Sequence, residues 1–156
     1  MPPALLFDLS GIDLNQVSYG PEAIRRFNPQ RGDMEHLDGV IWTDGKTDML
    51  GFKDVSEDEF WVPGHIPGRP LLPGVIMLEA AAQLASFYTH VVLGWEGFVG
   101  FAGMEDVKFR TPVPPGRRML ILCRLLENRH RRIRAAAQGL VDGNLTFEGV
   151  IIGTRM

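Results

Sequence analysis

Residues 65–79 gather the residue types that acid–base chemistry needs. They read His65-Ile66-Pro67-Gly68-Arg69-Pro70-Leu71-Leu72-Pro73-Gly74-Val75-Ile76-Met77-Leu78-Glu79. A histidine stands in a loop stiffened by proline and glycine, and the loop leads into a long apolar run. Gly74 carries no side chain, so a ligand can approach its backbone closely. If a helix begins there, its first N–H groups lack partners and its dipole favours negative charge. Glu79 lies among apolar residues, where desolvation raises a carboxyl pKa and keeps a proton available for donation. A histidine base, a carboxylic acid and an N–H donor for an oxyanion are the parts for removing a proton next to a carbonyl. The residues alone also admit plainer roles. His65 could be a turn histidine bonded to backbone, and Glu79 could pair with an arginine such as Arg69.

The elements around this stretch must position it. From Gly74 to about residue 93 nothing breaks a helix, and Gly94 follows as a C-cap candidate. Most of the run is apolar, while Glu79, Gln83, Ser86 and His90 are spaced four, three and four residues apart. At 100° per residue these four form one narrow stripe. It is either a thin edge facing solvent or a special face on an otherwise buried helix. Such a run could span a membrane by length, but Glu79, Gln83 and His90 argue against it. Residues 40–43 and 49–55 read as strands around Asp44-Gly45. After the helix, the stretches 97–101, 107–110, 119–125, 133–141 and 145–152 follow period two. Asp142-Gly143 between the last two is a strong hairpin signal. Pro21 starts a short helical turn over residues 21–27. One apolar helix with many strands requires a sheet that curls around it, an α+β fold with an antiparallel sheet. Residues 1–20 read as an N-terminal arm and residues 21–156 as a single domain.

Composition narrows the function class. The 156 residues are 45% hydrophobic and 22% charged, which suits one globular domain and not a disordered chain. The single cysteine, Cys123, excludes an internal disulfide framework. The four histidines, His36, His65, His90 and His130, show no metal spacing, and no phosphate-binding glycine loop follows a strand. The N-terminus lacks a basic leader, so a soluble, cytoplasmic protein is expected. Charge is divided unevenly. Residues 1–104 hold 6 Lys/Arg and 14 Asp/Glu, whereas residues 105–156 hold 10 and 5. The basic third could be solvated turn arginines or a landing surface for an acidic partner. No nucleic-acid motif accompanies it.

The stretch resembles the signature of the β-hydroxyacyl-acyl carrier protein dehydratases of bacterial fatty acid synthesis, H-F-P-G-x-P-x-x-P-G-V followed by E-A-x-A-Q. Here it stands as His65-Ile66-Pro67-Gly68-Arg69-Pro70, Pro73-Gly74-Val75 and Glu79-Ala80-Ala81-Ala82-Gln83. A second similarity joins Phe98-Val99-Gly100-Phe101 to Val107-Lys108-Phe109-Arg110-Thr111-Pro112-Val113-Pro114-Pro115-Gly116, and a third is Lys53-Asp54-Val55. The resemblance covers roughly residues 29–153. There are departures. Ile66 replaces the family's phenylalanine. The motif P-H-R-Y-P-F-L-L-V-D-R-V is degraded to Pro29-Gln30-Arg31-Gly32-Asp33-Met34-Glu35-His36-Leu37-Asp38-Gly39-Val40. Arg117 follows Gly116 where the family has an acid.

The resemblance implies a hotdog fold, a long central helix wrapped by a curved antiparallel sheet. It implies homodimers, often trimers of dimers, with the active site between subunits. The implied reaction turns a (3R)-3-hydroxyacyl thioester into the trans-2-enoyl thioester. His65 would be the base, the Gly74 N–H the carbonyl donor and Glu79 the acid. Ile66, Pro67, Gly68, Pro73, Val75, Gln83 and Phe101 would line the substrate site, with Gln83 orienting Glu79. Loss of water is redox-neutral, so no metal or nicotinamide is expected; the substrate rides on phosphopantetheine. Lys108, Arg110 and Arg117 are the expected docking residues for an acidic acyl carrier protein, ahead of the run 129–134 on its turn. No nucleic-acid or membrane partner is expected. An acyl thioester hydrolase and a non-catalytic acyl-binding protein on the same fold remain the alternatives.

Overall fold

The computed structural model describes residues 4–156, so the first three residues of the expected arm lie outside it. In chain order the described residues form α1 (Pro21–Arg25), a short 3-10 turn (Gly32–Met34), β1 (Gly39–Thr43), β2 (Asp48–Asp54), α2 (Gly74–Val91), β3 (Val99–Phe109), β4 (Arg118–Arg129), β5 (Arg132–Val141) and β6 (Asn144–Arg155). The strands make one antiparallel sheet in the order β1-β2-β4-β5-β6-β3. This is the α+β class read from the sequence, with α2 lying against the sheet as the hotdog arrangement requires.

The reason lies in α2. Ala80, Leu84, Phe87 and Tyr88 are fully buried, and they pack with Met49, Met119, Ile121, Ile133, Phe147 and Ile151 of the sheet into one cluster. The Tyr88 hydroxyl donates to the Lys46 carbonyl in the β1–β2 turn, and Phe87 meets Tyr19 and Phe27 edge-on. Buried polar ends of aromatic residues need such partners. Gly94, at φ 71°, turns the chain out of the helix, and the Trp95 N–H bonds back to the Thr89 carbonyl.

The turns follow their sequence signals. The Asp44 carboxylate accepts from the N–H groups of Lys46, Thr47 and Asp48. Asp142 and Gly143 sit at φ 50° and 82°, the left-handed pair of a two-residue hairpin. One reading is corrected: the two strands expected at 97–101 and 107–110 are the two ends of one strand, β3, which begins at Val99 and ends at Phe109. Its pairing with β6 slips between Glu105 and Lys108, where Asp106 takes φ 52°. The bulge bends the strand and breaks the period-two pattern, which is why it read as a gap.

The arm has its own task. Leu6, Phe7, Leu9 and Ile12 cover a second apolar cluster of Ile41, Leu50, Phe52, Leu122, Leu140 and Leu145 on the other face of the sheet. The Gln138 amide holds the arm at both ends of its reach, accepting from the Leu6 N–H (2.8 Å) and donating to the Ala4 carbonyl (2.9 Å). Phe7 packs on Trp42 with ring centroids 5.4 Å apart. Large bare apolar patches drive association. Removal of residues 1–12 is therefore expected to give a folded protein that binds a hydrophobic dye and self-associates with concentration. Unchanged dye binding and sedimentation would show that the arm covers nothing of consequence.

Candidate active site

Two clefts flank α2, and each holds part of the expected chemistry. The first, about 400 Å³, is lined by His65, Leu71, Leu72, Gly74, Val75, Met77, Phe109, Arg110 and Thr146, among others. The loop before α2 is tied down by two backbone bonds, from the His65 N–H to the Trp61 carbonyl (2.7 Å) and from the Leu72 N–H to the Val113 carbonyl (2.8 Å). The His65 ring is fixed as well, because Nδ1 lies 2.7 Å from the Leu71 carbonyl oxygen. A carbonyl only accepts, so Nδ1 carries the proton and Nε2 presents its lone pair. The ring is thus bonded to backbone through Nδ1, as a turn histidine would be, and Nε2 takes no part in that bond.

Gly74 opens α2 beside it. The Gly74 and Val75 N–H groups precede any carbonyl one turn back, so they are unsatisfied within the helix. A Cβ on Gly74 would stand 2.7 Å from the Phe109 ring, so the position has room for backbone alone. Ile66 takes φ 52° and Gly68 φ 83° in the exposed loop that brings His65 back towards the helix. Of the expected substrate-lining residues, Val75 reaches this cleft and is 71% exposed. Ile66, Pro67 and Gly68 lie in the loop outside its lining, and Pro73 is the buried N-cap residue.

The second cleft, about 200 Å³, lies on the other side of α2 and holds Glu79 with Gln30, Gln83, Ser86, Phe98 and Phe101. Glu79 lies five positions after Gly74, and at 100° per residue that turns them to different sides of the helix. Within one chain, then, His65 and Glu79 line different clefts. The polar stripe is not a solvent edge: Gln83, Ser86 and His90 are 3%, 9% and 8% exposed. Burial raises the Glu79 carboxyl above its ordinary value, and a bond from Gln83 Nε2 to Oε2 at 3.2 Å offsets part of that. No ion pair joins Glu79 to Arg69 among the described residues.

Gln83 is the hub of this side. Its Nε2 also donates to the Met34 carbonyl (2.7 Å), and its Oε1 accepts from the N–H groups of His36 (3.0 Å) and Leu37 (3.2 Å). The side chain beside the acid is thus locked to the loop before β1. Beneath that loop, buried Lys53 pairs with Glu59 at 2.6 Å and lies 3.3 Å from His36 Nδ1. Burial and the Lys53 charge push the His36 pKa down to about 4. Sequence reasoning missed this cluster, as it missed Phe109 and Gln30 at the two clefts. The three residues of the cluster are separated by 17 and 6 positions and share no periodic pattern.

The basic residues separate into two groups. Arg110 is bonded to Glu148 at 2.6 Å and Arg117 to Asp142 at 3.0 Å, while Lys108 has no ion pair among the described residues. Arg129, Arg131 and Arg132 also lack one, and they gather at the β4–β5 turn with His130 at φ 59°. That turn adjoins Ile133 and Gly153, which line the Glu79 cleft. No group of three or more His, Cys, Asp or Glu among the described residues is placed to hold a metal ion. No helix among them is long and apolar enough to cross a membrane.

A raised carboxyl pKa has a stability consequence. Above the ordinary value of 4.5 the unfolded chain has lost a proton that the folded protein still holds at Glu79. Stability therefore declines as pH rises from 4.5 through the raised value, and the deficit persists at neutral pH. Glu79→Gln is expected to melt at a higher temperature than the wild type at neutral pH, the difference vanishing at acid pH. A variant less stable at neutral pH would mean that the carboxylate is held by favourable contacts.

Comparison with known proteins adds an independent line. Residues 28–150 match the family described as FabA-like domain. The chain is 31% identical over 148 residues to the 3-hydroxyacyl-[acyl-carrier-protein] dehydratase FabZ of Janthinobacterium sp. (strain Marseille), covering 92% of this chain and 90% of the relative. Among solved structures it is similar to the dehydratase heterocomplex ApeI:P from Xenorhabdus doucetiae, with a TM-score of 0.71 at 18% identity over 85% of this chain and 90% of that one. It is also similar to zebrafish thioesterase superfamily member 2, with a TM-score of 0.64 at 13% identity over 86% and 94%. These two likenesses concern the fold alone, and the fold hosts more than one chemistry.

Proposed function

The chain belongs to the FabA-like domain family, and from that premise we propose that it is a cytoplasmic 3-hydroxyacyl-[acyl-carrier-protein] dehydratase of fatty acid biosynthesis. The observation that carries the reading is the fixed tautomer of His65. Its Nε2 is free beside the unsatisfied N-terminus of α2, in a cleft with apolar walls.

The reaction follows from these groups. Nε2 of His65 takes the Cα proton of a (3R)-3-hydroxyacyl thioester. The charge moves to the thioester oxygen, where the Gly74 N–H and the α2 dipole favour it. Glu79 of the partner subunit, whose carboxyl burial raises above its ordinary value, gives its proton to the departing hydroxyl as the Cβ–O bond breaks. The products are the trans-2-enoyl thioester and water. His65 has then gained one proton and Glu79 has lost one, and exchange through water restores both. No electrons leave the substrate, so the step needs no redox cofactor. The assignment of acid and base to different chains agrees with their separation into different clefts within one chain. Exposed Val75, Phe98, Phe101 and Phe109 supply apolar surface for a homodimer, which a trimer of dimers could extend.

The substrate arrives on the phosphopantetheine arm of an acidic acyl carrier protein. Arg110 and Arg117 are partly neutralised by their acid partners. Docking therefore rests on Lys108 and on Arg129, Arg131 and Arg132 beside the Glu79 cleft. Attraction between exposed charges is screened by salt and acts mainly on association.

The test is pure protein with a 3-hydroxyacyl thioester, followed by enoyl absorbance and by release of free thiol. Enoyl product without thiol is expected, and His65→Ala should lower the rate by about 10² to 10⁴ while the protein stays folded. Raising salt should weaken carrier-bound substrate and leave a short pantetheine thioester unaffected. Free thiol without enoyl product would make the protein a thioester hydrolase, and neither product would make it an acyl-binding protein.

A further inference from the structure

The Glu79 cleft includes a buried polar atom without a partner that the reaction as described leaves unused. The side-chain Oε1 of Gln30 is shielded from solvent and has no hydrogen-bond partner among the described residues. Buried acceptors are nearly always satisfied, and an unsatisfied one beside a ligand cleft points to a donor that arrives with the ligand. Gln30 is held in place from its backbone, since its carbonyl accepts from Arg31 Nη1 at 2.7 Å. It shares the cleft with Glu79, Gln83 and Ser86. Gln83 cannot serve a ligand, because both ends of its amide are engaged: two donations to Glu79 and Met34, two acceptances from His36 and Leu37.

We propose that Gln30 is the acceptor for the substrate's β-hydroxyl and so selects hydroxylated over saturated acyl groups. The inference rests on the dehydratase reading and deepens it. A β-hydroxyl has one hydrogen of its own and gains a second from Glu79 as the Cβ–O bond breaks. The leaving molecule is water, with two O–H groups to place. Glu79 supplies one of these protons, and after ionisation its Oε2 still accepts from Gln83. The hydroxyl's own O–H goes to Gln30 Oε1 throughout, which aims an oxygen lone pair at the Glu79 proton. A saturated acyl chain has no O–H to offer and leaves Gln30 as it is without ligand, so only the hydroxylated chain gains this bond, and that difference is the basis of selection.

Binding and turnover are measured separately. Two short pantetheine probes carry the acyl group through an amide in place of the thioester, one 3-hydroxylated and one saturated. The wild type is expected to prefer the hydroxylated probe by about tenfold or more, the worth of the hydrogen bond that the buried acceptor gains from the hydroxyl alone. Gln30→Leu should bring that preference to within about twofold, leave the saturated probe's affinity unchanged, and cut kcat/KM for the 3-hydroxyacyl thioester about ten- to a hundredfold. Gln30→Met, closer in shape to glutamine, should do the same if the leucine variant folds poorly. A preference absent from the wild type, or one that survives both substitutions, overturns the proposal. Equal weakening of both probes also overturns it, since a structural role alone would do that. Failure of the dehydratase reading is seen elsewhere: a wild type that discriminates between the probes through Gln30 but makes no enoyl product keeps this inference and loses that one.

Discussion

Almost no face of α2 meets water, and the rest of the molecule is arranged to meet that constraint. Burying a Leu or Phe side chain is worth about 1.5–3 kcal/mol, and α2 buries Leu78, Leu84, Phe87 and Tyr88 together with Met77. A helix this apolar cannot lie on a flat surface. The strands bend around it, with the β3 bulge at Asp106 supplying part of the curvature. Tyr88, Asn28 and Gln83 then fasten it to its surroundings through hydrogen bonds to the β1–β2 turn and to the loops before β1.

The same constraint creates the chemistry. A carboxyl on such a helix loses much of its hydration, so Glu79 holds its proton above the ordinary carboxyl range. Gln83 bonds to that carboxyl and commits the rest of its amide to protein partners. On the opposite side, the helix must begin somewhere, and its unsatisfied first N–H groups fall where Gly74 leaves the backbone open beside His65. The proposed base and oxyanion donor thus lie at the start of the helix, and the proposed acid lies on a face turned away from them. On the proposed reading, a site that uses all three is closed by a second chain.

Much of this was legible in the residues. Proline and glycine mark the loop before α2, the stripe at 79, 83, 86 and 90 marks a special face, and Asp142-Gly143 marks a hairpin whose φ angles agree. Legibility failed where contacts join distant positions. The stripe could equally have been a wet edge, because nothing local shows that Ile133, Ile151 and Phe101 close over it. Lys108, Arg110 and Arg117 looked alike as free cations, but Glu148 and Asp142 arrive from neighbouring elements to pair with two of them. The arm read as an appendage because its apolar residues are scattered; only the sheet face beneath them shows what Leu6, Phe7 and Leu9 cover.

On the proposed reading, His65 and Glu79 act together across two chains. Mixing His65→Ala with Glu79→Gln, each inactive alone, tests it most directly once subunit exchange has been demonstrated. In a shared-site dimer, each mixed pair has one site with both groups intact. Random exchange should then restore about a quarter of wild-type activity. No recovery after verified exchange would rule out a site shared between chains and place acid and base within a single chain.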